Sequence, residues 1–238
     1  MPGTFEQLFD TYVLGSAEQQ EHAQEVVGDR PFEADLSRGT VGFGPELTVR
    51  AELIGTEATG PGSWMWSWAN PGGFGEHVTG AARHARDYGR REGVEELTAA
   101  ELPLAGAPVG YRATVVTCGL AGGYAYYPAP ADPGTTAYLL LDSPALALPP
   151  VRLTRVLTVL TAVAASGQVR DWRRALHTYG GQRGLEVRPD DRGLELAHPG
   201  GEGTIRVELD PMGRVADIAG RLEAAGEPPR KSRFGRRT

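Results

Sequence analysis

Trp64-Met65-Trp66-Ser67-Trp68-Ala69-Asn70-Pro71 places three tryptophans at alternate positions. Side chains point to opposite faces of a β-strand in turn, so this spacing predicts a strand with all three indoles on one face. Each indole carries about 150–250 Å² of surface, so this face must be buried or offered to a partner. We expect it to pack in the core. The alternative is an exposed aromatic platform for a glycan, another small ligand or a peptide.

An amphipathic helix is predicted for residues 4–27, because apolar residues recur at helical spacing from Phe5 to Val13. Thr4, with Gln7 three residues later, resembles a capping box. The apolar period then changes to two, most clearly over residues 47–54, which indicates a half-buried strand. Short turns between successive strands favour antiparallel pairing.

The remaining patterns predict further helices and strands. They give helices over residues 75–91, 151–165, 169–181 and 220–225, and strands over residues 112–120, 136–141, 185–187, 194–196, 205–209 and 215–218. A Gly/Pro-rich loop that contains Tyr124, Tyr126 and Tyr127 separates the first two of these strands. Together the patterns predict an α+β protein with mainly antiparallel sheet and helices packed on one side.

The domain organisation is predicted to be simple. Residues 1–227 are interpreted as a single α+β domain, with a sub-boundary considered at residues 144–150, where three prolines occur. Residues 228–238 carry five basic residues and no acid, and are predicted to form a disordered basic tail.

Charge and composition exclude several classes of protein. The net charge is −6, and because the tail carries +5, residues 1–227 carry −11, which makes nucleic acid an unfavourable partner. No apolar run approaches the roughly 18 residues needed to span a membrane, and no secretory signal is recognised. A single cysteine, Cys118, excludes an intramolecular disulfide, and a cytoplasmic location is expected.

No linear motif for catalysis, a metal or a cofactor is found. Cys118 lies in an apolar segment interpreted as a buried strand, where a thiol behaves as a small apolar group. His77 and His84 are two helical turns apart, about 10.5 Å along the axis, which is too far for one metal ion. Neither His-Glu-x-x-His nor Gly-x-Ser-x-Gly occurs. We therefore predict no metal and no cofactor.

The Trp-x-Trp-x-Trp-Ala-Asn-Pro segment resembles the signature of an uncharacterised family of bacterial domains of unknown function. Similar stretches are Val94-Glu95-Glu96-Leu97, Tyr126-Tyr127-Pro128 and the segment from Arg173 to Tyr179. The resemblance covers most of residues 1–187. It implies a compact cytoplasmic bacterial protein and assigns no activity or catalytic residue.

These observations favour a protein-binding module without catalytic activity, such as an immunity-type inhibitor of a basic partner. Two alternatives stay open: a hydrolase-type enzyme without linear motifs, or a binder of a small ligand or glycan that uses the tryptophan face. The enzyme would show ionisable side chains that converge in a cleft between sheet and helices. The candidate binding residues are Trp64, Trp66, Trp68, Tyr124, Tyr126 and Tyr127.

Overall fold

The computed structural model describes residues 3–106, 108–201 and 203–222. The helices are α1 (Phe5–Val27), α2 (Gly80–Glu92), α3 (Val109–Ala121), α4 (Leu153–Ser166) and α5 (Trp172–Arg183). The strands are β1 (Phe32–Asp35), β2 (Thr40–Phe43), β3 (Leu47–Ala58), β4 (Ser63–Trp66), β5 (Glu101–Pro103), β6 (Ala125–Asp132), β7 (Thr135–Asp142), β8 (Glu186–Pro189), β9 (Gly193–Ala197), β10 (Gly203–Leu209) and β11 (Val215–Leu222). This content confirms an α+β fold.

The larger sheet is organised around the long strand β3. One edge of β3 pairs with β2 and then with β4, and its other edge pairs with β7. The strands β1 and β6 complete the two ends of the path β1-β2-β3-β7-β6, and β5 pairs with β4. The ring of Phe32 in β1 lies 4.9 Å from that of Tyr127 in β6, measured between centroids. The sheet is therefore curled enough for its end strands to meet.

A register shift between Leu53 and Gly55 divides β3 into two parts. Before the shift, Val49, Ala51 and Leu53 are buried in a core formed inside the curled sheet. Ile54, at the shift, belongs instead to the core under the helices. The alternation predicted for residues 47–54 is thus confirmed, and the shift lets one strand supply both cores.

The smaller sheet is antiparallel, in the order β11-β10-β9-β8. The helix α4 contacts β10 and β11, and α5 contacts β8 and β9. The helices α2 and α3 contact β3 of the larger sheet. Each sheet therefore has helices against one face, and both sets of helices share one apolar core.

The helix α1 joins these parts, since it packs against α3, α4 and α5. Its capping box is present: Gln7 N donates to Thr4 Oγ1, and Thr4 N donates to the Gln7 side chain. Asp10, which is 2% exposed, accepts hydrogen bonds from the backbone N–H groups of Arg170 and Asp171 at the start of α5. The single domain at residues 1–227 stays a prediction, although the shared core contains residues from both sides of 144–150.

Outside the tryptophan and tyrosine segments, a predicted strand and a predicted helix are wrong, and one predicted helix is shortened. Residues 112–120, predicted as a strand, form most of α3, where every side chain from Ala113 to Cys118 is buried. The helix predicted for residues 75–91 begins its α-helical part at Gly80, after a 3₁₀ turn at Glu76–Val78. The helix predicted for residues 220–225 is replaced, over its described part, by the end of β11. The predicted tail at 228–238 lies outside the described residues.

Candidate functional site

The tryptophan segment forms a strand only as far as Trp66. Trp64 and Trp66 are fully buried, with their rings edge to face at a centroid distance of 5.4 Å. Trp68 belongs to a 3₁₀ turn at Ser67–Ala69, because the chain turns there instead of at Asn70. It is half-buried beneath the guanidinium of Arg86, 5.1 Å from its ring centroid. The predicted common face therefore ends at Trp66, and the two buried indoles offer no surface to a ligand.

The tyrosine segment is a strand rather than a loop. Tyr126 and Tyr127 lie in β6, and their rings pack against Tyr111 and against the rings of β1 and β2. The N–H of Tyr126 points away from β7 and donates to the Gln20 side chain. Pro128 and Pro130 lie two and four residues later in β6, so their backbone nitrogens also point away from β7. The prolines thus occupy positions where no N–H is required by the ladder.

Among the predicted binding residues, Tyr126 and Tyr127 line a cleft of about 500 Å³ beside the end of α1, whereas Tyr124 lines a different cleft. This cleft lies between β3, β7, the start of α2 and the end of α3, and has a volume of about 330 Å³. Its lining contains ionisable side chains of both signs: Arg50, Glu52, His84, Tyr124 and Asp142. We call this set of five residues the charged cleft. Such a convergence between sheet and helices is the feature predicted for an enzyme without linear motifs, whereas a ligand site was predicted on the tryptophan face.

Glu52 is held in the charged cleft by the start of α2. No side chain of Thr79 caps this helix. Instead, Glu52 Oε2 accepts a hydrogen bond from Ala81 N at 2.7 Å, where the N–H groups and the helix dipole favour a carboxylate. Its other oxygen, Oε1, accepts from Arg50 Nη2 at 2.9 Å. Glu52 therefore connects the start of the helix to the guanidinium and orients it.

Arg50 and Asp142 occupy directly paired positions on β3 and β7. Opposite charges at such positions ordinarily attract each other across the strands. Here Arg50 is turned to Glu52, and Asp142 has no ion-pair partner among the described residues. His84 is exposed on α2, one turn beyond Gly80. The charged cleft thus combines an oriented cation with a carboxylate, an imidazole and a phenol that have open hydrogen-bonding capacity.

A second cleft, of about 480 Å³, adjoins the charged cleft and shares Tyr124 and Asp142 with it. It continues along Gly122 and Gly123, both at positive φ, to Ser143 and the 3₁₀ turn that follows. The shared residues stand at the point where the chain leaves α3 and where β7 ends. A ligand larger than the charged cleft would extend in this direction.

Arg50, Glu52 and Asp142 were not among the site residues predicted from the sequence. A signal for two of them was present, because Arg50 and Glu52 alternate with the buried Val49 and Ala51 and must share the other face of β3. Asp142 is the last residue of the apolar strand β7, and nothing in the local sequence indicates which residue it will face. Only the pairing of β3 with β7 brings it beside Arg50.

Three acidic side chains of α1 form ion pairs with arginines from other segments. Glu6 pairs with Arg112 and Arg170, Glu18 with Arg183, and Glu25 with Arg155. Each cation comes from another element, so the acids of α1 act as counter-charges for α3, α4 and α5. These ion pairs therefore help to hold α1 against its neighbouring helices.

Cys118 is buried on α3, and burial raises the pKa of its thiol. A raised pKa keeps the thiol protonated, which disfavours a nucleophilic role. Across the described residues, no group of three or more His, Cys, Asp or Glu side chains is arranged to hold a metal ion. None of the helices in the same part of the chain is long and apolar enough to cross a membrane.

A comparison with family models gives one match, to a family described as a family of unknown function (DUF6882), over residues 6–144. This range is more than half of the chain, and it contains the tryptophan segment and all residues of the charged cleft. No curated protein and no solved structure matches the chain.

Proposed function

Because the chain belongs to this family of unknown function, which brings no activity with it, we propose a function from the charged cleft. The protein binds a small ligand that carries an anionic group and a hydrogen-bond donor, as a free amino acid or a dipeptide does. The observation that carries this proposal is the arrangement of Arg50 and Asp142 on paired positions, with the guanidinium held by Glu52 and the carboxylate left open.

The chemistry of the cleft supports this ligand class. Apart from the bond to Glu52, the guanidinium N–H groups of Arg50 have no hydrogen-bond acceptor among the described residues, and a ligand carboxylate matches their planar geometry. Asp142 accepts hydrogen bonds from an ammonium group, and the phenol of Tyr124 contacts the apolar part of the ligand. A volume of about 330 Å³ lies at the lower end of small-molecule sites, which suits an amino acid.

Binding is tested by saturation-transfer NMR with glutamate, arginine, alanine and the dipeptide Ala-Ala, followed by titration of any ligand found. Arg50→Gln should raise the Kd at least about tenfold, because a hydrogen bond to a charged group is worth about 1.5–3 kcal/mol. Glu52→Gln should have a smaller effect, since it loosens the guanidinium without removing it. Arg192→Gln, at an exposed arginine in the turn between β8 and β9, is the matched control.

The proposal fails if none of these probes binds, or if Arg50→Gln and Asp142→Asn bind as well as the control. The same spectra distinguish a binder from a hydrolase. Slow conversion of Ala-Ala to alanine, lost in His84→Gln, would favour the enzyme, with His84 and Asp142 as the groups that transfer protons. Binding without conversion favours a binding module.

A second candidate function is the binding of a basic protein, including inhibition of a basic toxin. The observation that favours it is a run of exposed carboxylates, Glu95, Glu96 and Glu101, that have no ion-pair partner among the described residues. Their charge would accelerate the encounter with a cationic surface. The test is salt-dependent binding of lysozyme as a generic basic probe, compared between the wild type and a triple Glu→Gln variant. Equal binding by both proteins would exclude this surface.

A further inference from the structure

The strand β11 has a long open edge without proline. It spans Val215–Leu222, and its outer side has no strand partner among the described residues. The other end strands are short or interrupted by proline, which blocks pairing with a further strand: β1 has 4 residues, and prolines occur as Pro103 in β5, Pro128 and Pro130 in β6, and Pro189 in β8. The 8 residues of β11 contain no proline.

The hydrogen bonds of β10 establish which backbone groups of β11 point outward. Leu209 N donates to Arg192 O, and His198 N donates to Gly203 O, so the odd-numbered residues of β10 bond toward β9. Because bonding direction alternates along an antiparallel strand, the even-numbered residues of β10 bond toward β11. Their partners in β11 are the odd-numbered residues 217, 219 and 221.

The N–H and C=O groups of Ile218 and Gly220 consequently point to the open edge. The side chains of Asp217, Ala219 and Arg221 are exposed on the outer face of the sheet, whereas Ile218 packs against the core. The open edge therefore combines unpaired backbone groups with an acid and a base on one exposed face.

Asp217 faces a residue of like charge within its own chain. It is paired in register with Glu208 of β10, a residue of the same charge, and the cation beside Glu208 is Arg206. Neither Asp217 nor Arg221 has an ion-pair partner among the described residues. Like charges at directly opposed positions are unfavourable, so a cation on the open side of Asp217 would be stabilising.

We propose that β11 pairs with β11 of a second copy of this chain, antiparallel and about a two-fold axis through Ala219. In this register Ile218 lies opposite the second copy's Gly220, and their outward backbone groups bond. Asp217 lies opposite the second copy's Arg221, and the symmetry repeats this ion pair on the other side of the axis. The charged residues form non-hydrogen-bonded pairs, whose Cα atoms are only about 4.5 Å apart, so the side chains meet.

This register both pairs the outward backbone groups of the two β11 strands and places Asp217 opposite Arg221. Shifting it by one residue would place an outward-bonding residue opposite an inward-bonding one and lose the ladder. Shifting it by two would separate Asp217 from Arg221. A strand edge alone buries less than the roughly 1,200–2,000 Å² of a stable complex, so the dimer is expected to be weak and dependent on concentration.

The experiment is sedimentation equilibrium of the full chain over a wide range of concentration at low salt. Asp217→Arg and Arg221→Asp should each weaken dimerisation at least about tenfold, because each turns two attractive pairs into repulsive ones. The double variant Asp217→Arg/Arg221→Asp should restore it. Arg192→Asp, a charge reversal of an exposed residue away from the edge, should leave it unchanged.

Gly220→Pro supplies a second test, because the N–H that it removes points outward, and Gly220→Ala is its control, since a Cβ there is in ordinary contact with Leu157 Cδ2 at 3.4 Å and keeps the N–H. Gly220→Pro should abolish dimerisation while the circular dichroism spectrum stays that of the wild type. A monomer at all concentrations would overturn the proposal, and so would a dimer that is indifferent to the charge reversals and to Gly220→Pro. None of these variants touches the charged cleft, so the result is independent of ligand binding.

Discussion

We expect Arg183→Met to lower the free energy of unfolding by about 3–5 kcal/mol, because it leaves a buried carboxylate without its cation. The carboxylate belongs to Glu18 of α1, which is 0% exposed. Its Oε2 lies 2.8 Å from Arg183 Nε and accepts a hydrogen bond from the hydroxyl of Tyr179 at 2.9 Å. Burial, together with the negative charge of Glu18, raises the pKa of Tyr179, which therefore remains a donor.

The loss in free energy of unfolding depends on which buried polar groups each substitution leaves without a partner. Arg183 also donates to the backbone oxygen of Pro149 at 2.8 Å, so its removal opens a second unpaired group. In Glu18→Gln/Arg183→Met the charge is gone and the amide still accepts from Tyr179, so this double variant should be more stable than Arg183→Met alone. A coupling energy of about 1–3 kcal/mol is expected from residues that share one network.

The assay is urea unfolding followed by tryptophan fluorescence and circular dichroism. The network ties α1 to α5 across residues 144–150, so both probes should report one transition if residues 1–227 form a single domain. Arg174→Met, an exposed arginine on the same helix, is the control. If Arg183→Met costs less than about 1 kcal/mol, the carboxylate is not left uncompensated and the reasoning from a buried ion pair is refuted.

Three further results are expected. Trp66→Ala should cost about 3–5 kcal/mol in urea unfolding, whereas the half-buried Trp68→Ala should cost clearly less; equal costs would contradict the difference in burial. Burial raises the pKa of Asp10 above 3.8. As pH rises, Asp10 therefore loses its proton in the unfolded chain before it does so in the folded protein. The contribution of Asp10 to the free energy of unfolding falls between pH 3.8 and the pKa of Asp10 in the folded protein. The stability of Asp10→Asn relative to the wild type should accordingly increase across that window, and a constant difference would refute the assignment. Cys118, whose thiol pKa is raised by burial, should react with a disulfide reagent only at the rate of unfolding, and rapid labelling of the native protein would show that α3 is accessible.

The helix α1 shows how much local sequence can establish. Its apolar spacing and its capping box predicted the helix that the structure contains over Phe5–Val27. These signals depend on contacts within a few residues along the chain, which is why they survive without tertiary information. The alternation in β3 was readable for the same reason.

The helix α3 shows where local sequence fails. Its run Thr114-Val115-Val116-Thr117 favours a strand by residue preference, because branched side chains lose rotamer freedom in a helix. The segment is helical because burial on all sides, between α1, α2 and the larger sheet, outweighs that preference. A helix buried on every side has no polar face, so no periodicity marks it in the sequence.

The sequence by itself determined the class of fold, the first helix and the alternation in β3, since these depend on side-chain period. It left open whether the tryptophan strand is buried or exposed, and the tertiary structure buries Trp64 and Trp66. Only the tertiary structure decided which charged side chains lie next to each other. It paired acids of α1 with Arg112, Arg155 and Arg183, and it brought Asp142 beside Arg50. Ion pairs and clefts join residues that are distant along the chain, and their formation depends on how strands pair and helices pack, which no local pattern records.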